Sequence, residues 1–114
     1  MNLLDLMRAP MIVRPVDAYG HVVQGDPEET FTWNRGSRFA RIELHRADNG
    51  LWMWGVSFSL GDIGGGYKVG AKWGRFAAFR DDALHFAVTE LADRLARSID
   101  ADKGLAIAWA GQLR

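Results

Sequence analysis

Two runs of alternating side chains, Arg38–Arg46 and Leu51–Leu60, flank Asp48-Asn49-Gly50, and this pairing constrains the fold more than any other feature of the chain. In the first run Ala40, Ile42 and Leu44 fall on one side, and Arg41, Glu43 and His45 on the other. In the second, Trp52, Trp54, Val56, Phe58 and Leu60 share a side, and Leu51, Met53, Gly55, Ser57 and Ser59 share the opposite one. Period-two alternation marks half-buried strands. Asn-Gly favours a tight hairpin, because both residues tolerate positive φ. The implied register places Ile42 and Leu44 on the face of Trp54 and Val56.

Further elements attach to this hairpin. Gly61–Gly66, ending in three glycines, reads as a flexible loop. Tyr67–Phe76 reads as a third strand with Tyr67, Val69, Ala71 and Trp73 on one face, weakened or bulged at Gly70 and Gly74. A helix is expected from about Asp82 to Ser98. Leu84, Val88, Leu91, Leu95 and Ile99 form its apolar stripe, Asp81 is its N-cap, Asp82 sits near its positive end, and Arg94 and Arg97 suit its last turns. Leu105, Ile107 and Trp109 alternate with alanines, which suits a final strand or a short docked helix. As a strand, the segment would offer an edge for a homodimer.

Residues 1–32 read as an irregular N-terminal arm. A short helix is expected over residues 1–10, with short strands at Met11-Ile12-Val13 and Tyr19–Val23 and a turn at Gly25–Glu29. The expected fold class is α+β: an antiparallel sheet of three or more strands packed on one long helix. The whole chain, 1–114, forms one domain, with a β-β-β-α core at 33–114.

Composition narrows the function. The chain has 114 residues, no cysteine and a formal net charge of zero. The size suits one core. The missing cysteines exclude disulfides, thiolate metal sites and cysteine nucleophiles, and fit a reducing cytoplasm. No apolar run approaches the roughly 20 residues of a membrane span, and Met1–Arg8, with Asp5 in its apolar part, makes a poor signal peptide. The neutral balance disfavours a strongly basic nucleic-acid binder. Charge is nonetheless segregated: Trp33–Arg80 carries eight cationic residues against three acidic ones. This pattern fits either a basic sheet face or two halves that neutralise each other on folding.

No catalytic, cofactor or metal constellation emerges. The glycines at 64–66 lack the lysine and following helix of a phosphate loop. His21, His45 and His85 are scattered, without metal-ligand spacing. Gly55–Ser59 misses the nucleophile-elbow pattern at its last position. Glu28-Glu29 and Asp81-Asp82 read as a solvated turn and a helix cap. What remains is a set of candidate partner- or nucleic-acid-binding residues: Arg41, Arg46, Lys68, Lys72, Trp73 and Arg75. Trp73 would close the core if buried, and would stack on a base or anchor a protein contact if exposed.

Two resemblances follow from these motifs. Lys72-Trp73-Gly74-Arg75-Phe76, followed by Phe79-Arg80-Asp81-Asp82-Ala83-Leu84, resembles the Trp-Gly-Arg motif and later helix of WGR domains, which bind DNA ends. Those domains insert another glycine-bearing strand before the helix; here the helix follows almost at once. Gly50-Leu51-Trp52-Met53-Trp54-Gly55, Gly64-Gly65-Gly66 and the Phe76–Leu84 helix entry resemble small, mostly uncharacterised accessory proteins of phages, plasmids and integrated elements. That resemblance implies an anti-defence role, anti-CRISPR inhibitors being among such proteins. The resulting expectation is a non-enzymatic cytoplasmic protein that occupies the surface of a bacterial protein or nucleoprotein complex. The alternative is a nucleic-acid-binding module using a basic sheet face, and only a pocket of converged polar groups would point to a small hydrolase or transferase.

Overall fold

The computed structural model describes residues 8–14, 23 and 25–113. Six strands are present among them: β1 (Ile12–Val13), β2 (Glu29–Arg35), β3 (Arg38–Arg46), β4 (Trp52–Ser59), β5 (Gly64–Gly66) and β6 (Arg75–Phe76). Two α-helices follow, α1 (Arg80–Leu95) and α2 (Lys103–Gly111). The main sheet is antiparallel in the order β2-β3-β4-β5, and β1 and β6 form a separate antiparallel pair.

The β3–β4 hairpin has the register its alternation implies, with Ile42 opposite Val56 and Leu44 opposite Trp54. Its turn is tighter in one respect than Asn-Gly alone suggests. Gly50 takes φ 84°, whereas no described non-glycine residue has positive φ. Gly50 N donates to Ala47 O at 2.9 Å and Ala47 N to Leu51 O at 2.7 Å. This is the hydrogen-bonding of a turn closed by one left-handed glycine.

Ala40, Ile42, Leu44, Trp54, Val56 and Phe58 bury one sheet face against Ala83, Leu84, Ala87, Val88, Leu91 and Leu95 of α1. At roughly 1.5–3 kcal/mol for each large aliphatic side chain buried, this layer dominates the fold's stabilisation. The expected stripe holds as far as Leu95; Ile99 lies beyond the helix and is 88% exposed.

Several expectations are corrected. α1 begins at Arg80, with Phe79 rather than Asp81 in the capping position and no side-chain cap bond. Asp82 is buried and ion-paired to Arg8 at 3.0 Å, and Asp81 pairs with Arg80 at 2.8 Å. Glu29 is no free turn residue. Arg80 grips its carboxylate with two bonds of 2.7 and 2.6 Å, which hold the carboxyl below its usual range and tie the start of α1 to β2. β2 itself begins inside the stretch expected to be an irregular arm. The strand at Ile12–Val13 is present. The helix expected over 1–10 and the strand expected over Tyr19–Val23 lie outside the described residues, except for Arg8–Pro10, which are not helical, and Val23, whose N–H donates to Val69 O at 2.8 Å.

The helix expected over 82–98 is α1, and the C-terminal segment takes the second of its two expected forms, a short docked helix, α2. In α2 the buried residues are Ala106 and Ala110, spaced as neighbours on one helical face, so α2 lies close on α1 through small side chains. The alternation of Leu105, Ile107 and Trp109 is therefore not strand periodicity, and no C-terminal strand edge exists for a dimer. The connection between the helices is held by two aspartates. Asp62 accepts from Ser98 Oγ at 2.5 Å and Ile99 N at 2.9 Å. Asp100 accepts from Asp102 N at 2.8 Å, Gly61 N at 2.9 Å and Arg38 Nε at 3.0 Å. These bonds lower both carboxyl pKa values, chiefly through Ser98 for Asp62 and through the Asp102 N–H for Asp100. They also fix the loop that leads into β5.

The third strand expected over Tyr67–Phe76 is absent as such. The chain instead crosses the outer face of β4 at Gly55, makes a 3-10 turn at Ala71–Trp73 ended by Gly74 (φ 72°), and continues into β6. There Val69 and Phe76 join Met53 in a second, smaller core with Ile12, Val23, Ala47 and Leu51. The crossing depends on Gly55, since a Cβ at that position would lie 2.5 Å from Val69 N and 2.8 Å from Tyr67 O.

Two predictions follow from these contacts. Gly55→Ala should destabilise the chain by about 1–3 kcal/mol in denaturant unfolding, because backbone must move. Gly65→Ala, with no atom nearer than 4.0 Å to the new carbon, should be neutral or stabilising by up to about 1 kcal/mol. Separately, Asp62 and Asp100 contribute stability that is complete above their ordinary pKa of 3.8 and is lost as pH falls through their lower folded values. Acid unfolding of Asp62→Asn/Asp100→Asn should accordingly show a shallower pH dependence below about 4.

Candidate functional site

β5 is the point where the sheet departs from ordinary construction. It lies at one margin of the sheet, all three of its residues are exposed glycines, and their register continues two kinds of cross-strand row. Thr32, Arg41, Ser57 and Gly66 form one row; Asn34, Phe39, Ser59 and Gly64 form another; both lie on the face away from α1. Trp33, Ala40, Phe58 and Gly65 form the intervening row on the α1 side. Side chains alternate across a strand. Glycine at 65 therefore leaves space between the sheet and α1, and the backbone of Gly65 and Gly66 borders a second space on the open face.

Both spaces exist as grooves. The one on the α1 side is about 480 Å³, with Phe58 and Ile63 beneath it and Glu90, Asp93, Arg94 and Arg97 along the helix wall. The one on the open face is about 310 Å³, between Phe39, Arg41 and Glu43 on one side and Tyr67 and Lys68 on the other. Gly66 is required by its position, having φ 133° and a Cβ direction aimed into the backbone of Val56 and Ser57.

The six basic and aromatic candidates do not form one surface. Arg41 and Arg46 lie on β3 with opposite parity, so they belong to opposite faces, and Arg46 sits at the hairpin end with its Nε 3.4 Å from Gly50 O. Arg41 stacks over Phe39 at 5.2 Å and shares the open-face groove with exposed Lys68. Lys72 lies 5.2 Å over the Trp73 ring in the 3-10 turn. Trp73 is half-buried: its Nε1 donates to Lys68 O at 2.7 Å and its ring tilts against Tyr67 at 5.2 Å. The indole thus braces the turn.

Arg75 is committed internally. Its Nη2 donates to the Tyr67 hydroxyl at 2.6 Å and lies 3.5 Å from Glu90 Oε1. Glu90 is the hub of this network, accepting from Tyr67 at 2.6 Å, Trp54 Nε1 at 3.2 Å and Arg94 at 3.2 Å. Arg75 and Arg94 also lie over the Tyr67 ring at 5.3 and 5.7 Å. Burial, and then the hydrogen bond to Glu90, raises the Tyr67 hydroxyl pKa far above its usual 10. The network joins α1, β4 and the crossing segment beside β5, and holds Arg75 against the sheet.

Among the described residues no three His, Asp or Glu side chains converge as a metal cage. His45 Nδ1 accepts from Glu28 N at 3.2 Å, and His85 packs edge-on to Phe86 at 5.8 Å. The arrangement around β5 has the chemistry of a docking edge: accessible backbone donors and acceptors, flanked by one groove with an apolar floor and one cationic groove. The alternation of β3 already placed Phe39 beside Arg41, so that half of the groove was available to reading. A run of glycines carries no side-chain period, so nothing local marks Gly64–Gly66 as a strand. Comparison of the chain with family models, curated proteins and solved structures finds no match in any of the three.

The Tyr67 network generates a direct test. In a Tyr19→Phe background, ultraviolet titration should show no tyrosinate until well above pH 10, and folding stability should fall as pH rises past 10, where the unfolded chain begins to lose a proton that the folded chain retains. Glu90→Gln should move the ionisation back toward 10 only in part, because burial is the larger cause.

Proposed function

We propose that this protein is a non-enzymatic binding module that acts by occupying the surface of a partner protein. The reading accords with the mobile-element accessory proteins that its sequence resembles, and makes it an inhibitor of a host defence or nucleoprotein complex. The observation that carries it is the glycine margin of the sheet, Gly64–Gly66, exposed and bracketed by two grooves. Unguarded strand edges pair with other chains, and sheets that avoid such pairing cover or charge them. β5 is short, and its three exposed glycines leave no side chain over that edge.

The distribution of positive charge supports a protein partner over nucleic acid. A backbone-tracking site needs a continuous cationic stripe. Of the candidate cations, Arg75 is drawn into the Glu90 network, Lys72 stands over the Trp73 ring, Arg46 is on the opposite face from Arg41, and Arg41 and Lys68 share a groove.

The test is affinity capture from bacterial lysate on the tagged full-length chain, with and without nuclease. A stoichiometric protein complex that survives nuclease and is lost in Arg41→Glu/Lys68→Glu is the expected result. Recovery that vanishes with nuclease, together with binding to an oligonucleotide that weakens steeply with salt, would replace this reading with the nucleic-acid one.

A further inference from the structure

We infer that the β5 edge takes an extended segment of a partner protein as an added strand, and that it selects an acidic–apolar–acidic sequence. This rests on the reading of the chain as a protein-binding module and specifies what that module recognises.

The selectivity follows from the pleat. A strand hydrogen-bonded to the outer side of β5 would lie about 4.8 Å away, and its successive side chains would point to opposite faces. The residue beside Gly65 extends the Phe58 row and enters the α1-side groove, where Phe58 and Ile63 form the floor. Gly65 itself places no side chain between that residue and the groove, where the nearest atom to a carbon built on Gly65 is Phe58 Cε1 at 4.0 Å. Burying an aliphatic side chain there removes apolar surface from water on both sides.

The two residues beside Gly64 and Gly66 point instead to the open face. There they continue the Ser59 and Ser57 rows on the outer side of the glycines, and a long acidic side chain laid back over Gly64 and Gly66 enters the groove lined by Arg41 and Lys68. The acidic member of this groove, Glu43, is turned to the Val69 N–H at 3.4 Å. The groove thus offers a guanidinium, an ammonium and the Ser57 hydroxyl to an incoming carboxylate, and charge-assisted bonds of this type are the stronger class. Backbone pairing supplies affinity and the alternating grooves supply the sequence preference, the general logic of strand addition.

The probe is the blocked heptapeptide Thr-Val-Glu-Leu-Glu-Val-Thr, compared with Thr-Val-Lys-Leu-Lys-Val-Thr and with a glutamate peptide N-methylated at two consecutive central residues. Binding is read by amide chemical shifts of the full chain. The expected result is saturable binding of the glutamate peptide, at least tenfold tighter than the lysine peptide, with shifts centred on Gly64–Gly66 and loss on N-methylation. Arg41→Glu/Lys68→Glu should invert the peptide preference. Gly65→Val, which suits a strand and fills the α1-side groove, should keep the thermal transition and abolish binding.

Equal binding of the two peptides, shifts centred away from β5, no saturation at millimolar peptide, or unchanged binding by a folded Gly65→Val variant would each overturn the inference. A nuclease-resistant protein complex that survives Gly65→Val would overturn this edge mechanism while leaving the binding module standing. A peptide that binds as expected in the absence of any lysate complex would uphold the edge and overturn the module's proposed cellular role.

Discussion

Everything in this structure depends on the register of β3 against β4. Ile42 opposite Val56 and Leu44 opposite Trp54 make one face wholly apolar, and α1 closes over it. A slip of β3 by one residue would send Arg41 and Glu43 toward the core and expose Ile42 and Leu44, so the hydrophobic term enforces a single pairing. With that face committed to α1, the opposite face is free to be polar. The crossing segment over Gly55 then covers only its hairpin end, where Met53, Val69 and Phe76 build the second core.

Glu90 connects this scaffold to the sheet margin. A half-buried carboxylate held by two guanidiniums, a phenol and an indole is satisfied from several directions. Removing any one partner would leave the others underpaired at low dielectric. The network positions Tyr67 where β5 ends and holds α1 as one wall of a groove. Arg75 and Trp73, which read from sequence as binding residues, serve here as structure, and of the remaining candidates Arg41 and Lys68 share the open-face groove.

The margin itself works by omission. Three glycines in a strand sacrifice packing and conformational entropy, and strand interiors disfavour them for that reason. In return the backbone of β5 is reachable from outside and two adjacent grooves stay open. The flanking aspartate latches at Asp62 and Asp100 hold the incoming loop, so the glycines are held in extended register rather than left as a free loop.

The hairpin, its face assignment and the apolar stripe from Leu84 to Leu95 were legible in the sequence, because each is a local period read against a single buried surface. The edge strand and the loss of the third strand were not, and the choice between strand and helix for the C-terminal segment stayed open. Glycines carry no period; Leu105, Ile107 and Trp109 show a period-two pattern although Ala106 and Ala110, four apart, make the buried contact; and the path over Gly55 depends on a void that only the folded sheet creates. The tertiary structure also decided which cations are free. Whether Arg75 meets solvent or Glu90 depends on how a helix on the far side of the sheet is placed, and charge order along a chain does not encode distances across it.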